Sequence, residues 1–342
     1  MGDIIIGTEA IANGVVTRYE LQRFYRPIFT NVHAPRLAAP TLRDRTEAAW
    51  LYSKRAGIVT GLAAAALHGS QWINADIDIE LIYNCPRAPK GIIARNERIA
   101  PDEWQEVGGV PVTTPARTAF DLGRYRPEHD ALARLDALMA SRPYSIEDVL
   151  LLAKRYKGAR GAARLKAVLP YVDGGAESPR ESWWRKVVLD AGFPTPRTQI
   201  PVADHDGRHV RFLDFGWETF KVALEYDGDQ HQTDRRQYLK DRRVMPVLRR
   251  LGWHVTAVVK EDDPVAVIQT LSQAMRTRGW QGPIQIPRYA FSARLRAETA
   301  ASGRCQAAWS RSWLFSADRL MPTTGLGLWV RGRRRNRSGW AS

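Results

Sequence analysis

The sequence predicts a multi-domain α+β protein, and three observations carry that reading. The chain has 342 residues, more than one ordinary hydrophobic core organises. Capped helical stretches and short apolar strand-like runs both occur, and their pattern changes after Asp173-Gly174-Gly175-Ala176. From Arg288 the composition changes again, to Arg, Trp, Ser and Gly with little periodicity. These breaks divide the chain into residues 1–40, 41–173, 174–277 and 278–342.

In the first segment Thr8 to Asn13 reads as a helix and Gly14-Val15-Val16 as a turn. Thr17 with Glu20 forms a capping box, in which the hydroxyl takes the Glu20 amide and the carboxylate returns to the Thr17 amide. Leu21 and Phe24 continue the apolar face, and Phe29-Thr30-Asn31-Val32 reads as a short strand. Helix, turn, capped helix and strand describe a small winged helix-turn-helix, a DNA-binding arrangement. The same pattern suits a helical hairpin that packs on the rest. Arg18, Gln22 and Arg23 on the second helix suit either a DNA groove or a solvated face.

Residues 41–173 read as a mostly helical α+β region. Helices are expected at Arg45 to Ala56 and Gly61 to Gly69, with a strand at Ile77 to Ile82. Val110-Pro111-Val112 leads into Thr114-Pro115, where Thr114 caps and Pro115 suits the first helical position. Ser145 and Asp148 cap a later helix reaching Tyr156. His68, near a helix C-terminus, is assigned to structure, because the helix dipole favours it there.

After the glycine break, Ser178-Pro179-Arg180-Glu181 opens a helix that Gly192 stops. Strands follow at about 197–203 and 209–216, joined through Asp206-Gly207, a hairpin signal. Val222 to Tyr226 is a third strand and Trp253 to Val259 a fourth, with helices at about 234–251 and 264–275.

Charge gives weaker guidance than its size suggests. The chain carries a formal +15, which favours a polyanionic partner. Residues 288–342, however, hold eleven arginines and no lysine against Glu298 and Asp318, and supply +9 of it. That tail is either a disordered basic arm holding nucleic acid nonspecifically or an extension without a fold. Cys85 and Cys305 lie far apart and lack partners at metal-ligand spacing, which excludes a disulfide framework and a structural zinc site. No run approaches a membrane span and no signal peptide is legible, so the expectation is a soluble cytoplasmic protein without a membrane partner.

The chemistry centres on two carboxylates inside apolar strands, Asp214 in Phe212-Leu213-Asp214-Phe215 and Glu225 in Val222-Ala223-Leu224-Glu225-Tyr226. If Glu218 to Lys221 form the loop, residue 217 pairs with 222 and Asp214 opposes Glu225, about 5 Å apart at the β-carbons. Opposed like charges ask for a raised pKa or a cation between them, and Mg²⁺ or Mn²⁺ suits such hard oxygen ligands. The alternative is that one carboxylate is an ordinary solvent-facing edge charge. Asp227-Gly228 ends the strand and turns the chain so that His231 folds back toward the pair.

Asp214, Glu225-x-Asp227 and the helix-borne Glu181 resemble the PD-(D/E)XK nuclease superfamily, in its branch similar to the very-short-patch mismatch repair endonuclease. Glu181 stands eleven residues before Gly192, as a helix glutamate does in that branch, and His231 matches a histidine shortly after the third strand. The resemblance spans about residues 177–271 and implies a restriction-endonuclease-like α/β (α+β) fold. It further implies a Mg²⁺- or Mn²⁺-dependent endonuclease acting on DNA. Asp214 and Glu225 would be metal ligands, Glu181 would orient a metal-bound water, and His231 would act as general acid or base. Asp227 departs from the pattern by standing where the family has a lysine, and Lys221 lies about 13 Å earlier along the strand.

Residues 8–33 with 41–125 resemble the AbiEi-type antitoxin family. The resemblance runs through Gly14-Val15-Val16-Thr17 to Leu21, Ala65-Ala66-Leu67-His68-Gly69 and Thr113-Thr114-Pro115-Ala116-Arg117-Thr118. It implies transcriptional autoregulation and a DNA-binding front end. The two resemblances leave two functions in view: a metal-dependent endonuclease, or a DNA-binding regulator or antitoxin-like protein with an inactive nuclease fold. A toxin partner and an oligomer are left open.

Overall fold

The computed structural model describes residues 4–37, 39–228 and 235–290, without the side chains of residues 129 and 235–242. His231, to which the nuclease resemblance assigns an acid-base role, and residues 291–342 of the expected basic tail lie outside the described residues.

The chain begins with a strand, β1 (Ile5–Ile6), and two short helices, α1 (Gly7–Ala12) and α2 (Arg18–Phe24). Gly14 makes the turn between the helices at φ 68°, a left-handed conformation that favours glycine. Thr17 then starts α2 with the expected reciprocal cap, its amide donating to Glu20 Oε2 at 2.7 Å and its Oγ1 accepting from the Glu20 amide at 3.2 Å. Strands β2 (Tyr25–Phe29) and β3 (Val32–Pro35) follow, and the sheet order is β1-β3-β2. Phe29 to Val32, expected as one strand, is thus a hairpin turn. Asn31 stands in it at φ 62°, a conformation Asn tolerates better than most residues.

The middle region contains more sheet than the sequence suggested. Helix α3 (Leu42–Tyr52), strand β4 (Ile58–Thr60) and helix α4 (Gly61–Leu67) precede β5 (Ile79–Ile82) and β6 (Ile92–Arg95). Strands β7 (Trp104–Val107) and β8 (Val110–Thr113) complete a five-stranded sheet of order β6-β5-β4-β8-β7. These strands are three or four residues long, too short for periodicity to reveal. Small residues of α3 and α4 (Ala48, Ala49, Ala63, Ala64) let both helices sit close on Val59, Leu81 and Val112. Phe29, Val32 and Ala34 of the N-terminal sheet join the same core.

Helices α5 (Pro115–Tyr125), α6 (Glu128–Ser141), α7 (Ile146–Arg155) and α8 (Ala162–Val168) enclose a second core around Phe120, Leu132, Leu135, Leu138 and Leu165. Thr114 and Ser145 cap α5 and α7 as their sequences require.

Beyond Gly175 come α9 (Pro179–Asp190), β9 (Arg197–Ala203), β10 (His209–Trp217), β11 (Val222–Tyr226), α10 (Arg235–Arg250), β12 (His254–Val258) and α11 (Pro264–Arg276). The sheet order is β12-β11-β10-β9, with β11 and β12 parallel and the other pairs antiparallel. Trp184, Val187 and Val188 of α9 and Ile268, Leu271 and Met275 of α11 pack in one core with Phe215 and Leu224. Leu248 of α10 packs in another with Ile200, Leu213 and Ala223. Helices therefore cover both faces, which explains the near-continuous apolar run of β11.

Residues 278–290, assigned from the sequence to the tail, belong to this domain. Trp280 stacks on Phe193 with ring centroids 5.2 Å apart, and the Gln285 amide donates to Ala191 O at 3.0 Å.

Candidate functional site

On the N-terminal unit, α2 buries none of its residues fully. It is held by the Thr17 cap, by Leu21 against α1, and by Arg36, whose Nη2 donates to the carbonyls of Gln22 and Tyr25 at 3.0 and 3.1 Å. Arg18, Gln22 and Arg23 are all exposed. Arg18 with Gln22, and Tyr19 with Arg23, stand one turn apart in adjacent rows of the helix surface. Arg23 Nη1 donates to the Tyr19 hydroxyl at 2.6 Å, and its guanidinium lies 5.7 Å from the Phe24 ring centroid. Tyr19 and Phe24 are 62% and 52% exposed and Val15 is 65% exposed. Such exposure is costly for a structural helix and ordinary for a contact face. The aromatic members of this face were not singled out in the sequence, where Phe24 reads as part of an apolar stripe.

On the C-terminal domain, Trp217 pairs with Val222, Gly216 with Ala223 and Phe215 with Leu224. The same register carried one step further sets Asp214 against Glu225. The strand is irregular there. Leu213 pairs with Ile200 and Phe215 with Thr198 across β9, while Gln199 between them stands at φ 47°. Residues two apart in a regular strand share a face, yet Leu213 and Phe215 pack in different cores. The strand changes face at Asp214, whose Oδ2 accepts the Tyr226 amide at 2.7 Å.

Glu181, three residues into α9, approaches the same place. Its amide donates to Ser178 Oγ at 3.1 Å and its carboxylate accepts the Glu177 amide at 2.8 Å. Burial, with the nearby Asp214 charge, outweighs the opposing Glu177 amide and pushes the Glu181 carboxyl up to about 7. Glu181 thus lies near enough to Asp214 for the charge of one to act on the other.

Glu225 has a different neighbour. Arg211 Nε lies 2.8 Å from Glu225 Oε1, and the two side chains are 28% and 7% exposed. This partner was missed in the sequence, because the strand changes face between Leu213 and Phe215 and so breaks the alternation that predicts facing residues. Lys221 points elsewhere, its Nζ donating to Leu251 O at 2.7 Å. Asp227 is exposed beyond the strand end, its amide donating to Val258 O at 2.8 Å.

Among the described residues no group of three His, Cys, Asp or Glu is placed to hold a metal ion. Arg211 stands on Glu225 and the Tyr226 amide on Asp214, contacts that a divalent cation would have to share or displace.

The middle region hides an ion network that no sequence pattern revealed. Arg117, 1% exposed at its side chain, pairs with Glu97, Glu103 and Asp121, and Arg124 pairs with Glu97 and Asp121. Thr60 Oγ1 donates to Asp121 at 2.7 Å. His68 is buried, and its Nε2 lies 2.7 Å from Thr113 O. Burial lowers its pKa, in keeping with the structural role read from the sequence. These contacts tie Ala65–Gly69 and Thr113–Thr118, the segments of the antitoxin resemblance, to the strands and helices between them.

Residues 48–171 match the family model of the AbiEi antitoxin C-terminal domain. Two uncharacterized proteins of Mycobacterium tuberculosis, from strains CDC 1551 / Oshkosh and H37Rv, are each 34% identical to this chain over 158 residues. The alignment covers 46% of this chain and 58% of each relative, so the chain spans little more than half the length of the curated relatives it matches. The antitoxin resemblance read from the sequence is supported over the middle region. The comparisons contain no support for the nuclease resemblance.

Proposed function

We propose that this protein is a DNA-binding regulator of antitoxin type. The exposed cationic and aromatic face of α2 carries the reading. With the order β1-α1-α2-β2-β3, α2 would be the recognition helix of a winged helix-turn-helix and the β2–β3 hairpin its wing. Arg18 and Arg23 would contact phosphates or guanine edges, Gln22 would contact adenine edges, and Tyr19 would add a sugar or thymine-methyl contact. The AbiEi match over residues 48–171 supports the antitoxin assignment and makes a cognate toxin a candidate partner. The test is binding of the full chain to a labelled duplex from upstream of its own coding sequence. Tight binding that falls at least tenfold in Arg18→Ala/Arg23→Ala is expected. No preference over an unrelated duplex, or an unchanged affinity in the variant, refutes it.

A second reading, phosphodiester hydrolysis in a restriction-endonuclease-like domain, is favoured by one observation. Glu181 and Asp214 lie near each other in a buried setting that raises the Glu181 pKa to about 7, as acid-base sites do. Mg²⁺ or Mn²⁺ would have to compete with Arg211 for Glu225, and Asp227 supplies no cation to the reacting water. Plasmid cleavage in either ion, abolished by Asp214→Ala, would establish this reading. Cleavage indifferent to that substitution would remove it.

A further inference from the structure

One corner of the C-terminal domain gathers cations beyond what its fold uses. It is built around the Leu251–Gly252 turn, where α10 ends and β12 begins. Lys221 reaches it from the β10–β11 turn, where its own backbone stands at φ 49°, and its Nζ donates to Leu251 O at 2.7 Å. Arg278, just past α11, places Nη2 3.5 Å from Gly252 O. Arg249 stands in the last turn of α10, three residues before Gly252. Arg250 and Arg276 occupy the last turns of the same two helices. The five cationic side chains are all exposed, and among the described residues none has an ion-pair partner. The nearest carboxylate in sequence, Glu218, is held by Arg197 Nη1 at 2.5 Å.

Cations at a helix C-terminus offset its dipole and satisfy end carbonyls. Lys221 and Arg278 account for that requirement here. Arg249, Arg250 and Arg276 add three charges in the last turns of the two helices without any hydrogen-bonded partner among the described residues, more than the two end dipoles call for.

We infer that this corner is a second nucleic-acid contact, one that takes duplex phosphates without regard to base sequence. The inference rests on the DNA-binding reading above and extends it to a separate surface. Exposed cations on two helix ends, with no exposed aromatic side chain beside them among the described residues, suit a phosphate backbone and not a base edge. His254, whose pKa burial lowers, leaves the charge of the corner to the arginines and Lys221.

The test is fluorescence anisotropy of the full chain on a labelled duplex of random sequence and on the upstream duplex, across a series of KCl concentrations. Arg249→Gln/Arg278→Gln should bind the random duplex about tenfold more weakly at low salt, and its salt slope should fall by about two. Arg250→Gln/Arg276→Gln, which removes no described hydrogen bond, should behave alike with an unchanged melting temperature. Both variants should retain the preference for the upstream duplex, which Arg18→Ala/Arg23→Ala should lose. Unchanged affinity and salt slope in both patch variants, with or without a lower melting temperature, overturns the inference. A wild-type chain that binds both duplexes equally but loses affinity in the patch variants sinks the specific-regulator reading and leaves this one standing.

Discussion

Arg211 Nε stands 2.8 Å from Glu225 Oε1, so the carboxylate expected to face a metal ion faces a guanidinium of its own chain. Removing one partner of a mostly buried pair leaves the other charge uncompensated. Arg211 keeps some solvent access, which screens the interaction, so Arg211→Gln should destabilise by about 1 to 3 kcal/mol. Urea unfolding of the two single variants and of Arg211→Gln/Glu225→Gln gives the coupling directly. Additive effects would show that the pair contributes nothing.

The Glu181 carboxyl makes stability depend on pH with a definite sign. Its folded pKa of about 7 lies above the ordinary 4.5, so the folded state binds its proton more tightly than the unfolded chain does. Its stabilising contribution is therefore present below pH 4.5 and lost as the pH rises toward 7. Glu181→Gln, which can still accept the Glu177 amide, should gain on the wild type progressively over that window. Melting curves at pH 5 and pH 8 check this, and a difference that does not change with pH would contradict it.

Arg117 is the hub of the middle region's ion network. Arg117→Met keeps much of the side-chain volume and leaves Glu103 with Arg155 and Tyr156 and Asp121 with Arg124 and Thr60, but it removes the cation that these two nearly inaccessible acids share, at a cost of about 2 to 4 kcal/mol. Chemical denaturation should show it. A loss below about 1 kcal/mol would mean that the remaining partners suffice.

Gly161 starts α8 at φ 81°, and a β-carbon there would lie 2.2 Å from Arg124 O. Gly161→Ala should cost at least about 2 kcal/mol, from the left-handed backbone and the clash together. Gly158, also at positive φ but in open space, provides the control, and its alanine variant should lose only the backbone part.

Most helices were legible because their ends are written in local chemistry. Thr17 with Glu20, Thr114 with Pro115, Ser178 with Glu181 and Gly192 each mark a boundary within a few residues. The β10–β11 register was legible because a short loop leaves little freedom. Of the middle sheet only β5 was legible, as the run Ile77 to Ile82, since runs such as Ile58–Thr60 are shorter than one period of evidence for either helix or strand. The Glu225 partner escaped for another reason. Alternation assumes a regular strand, and β10 changes face between Leu213 and Phe215, opposite Gln199 at φ 47°. The ion network around Arg117 joins residues as far apart as Thr60 and Arg124, and separations of that kind leave no local trace.

Asp136 of α6 and Arg185 of α9 are joined at 2.6 Å with both side chains nearly inaccessible. The Asp136 carboxylate also accepts the Asp173 amide at 2.8 Å. The glycine-rich segment between them, which reads as a hinge in the sequence, is consequently a seam sewn from both sides. A chain cut at residue 174 would strand a charge in each fragment. The antitoxin-like region and the carboxylate-bearing domain should therefore melt in a single transition.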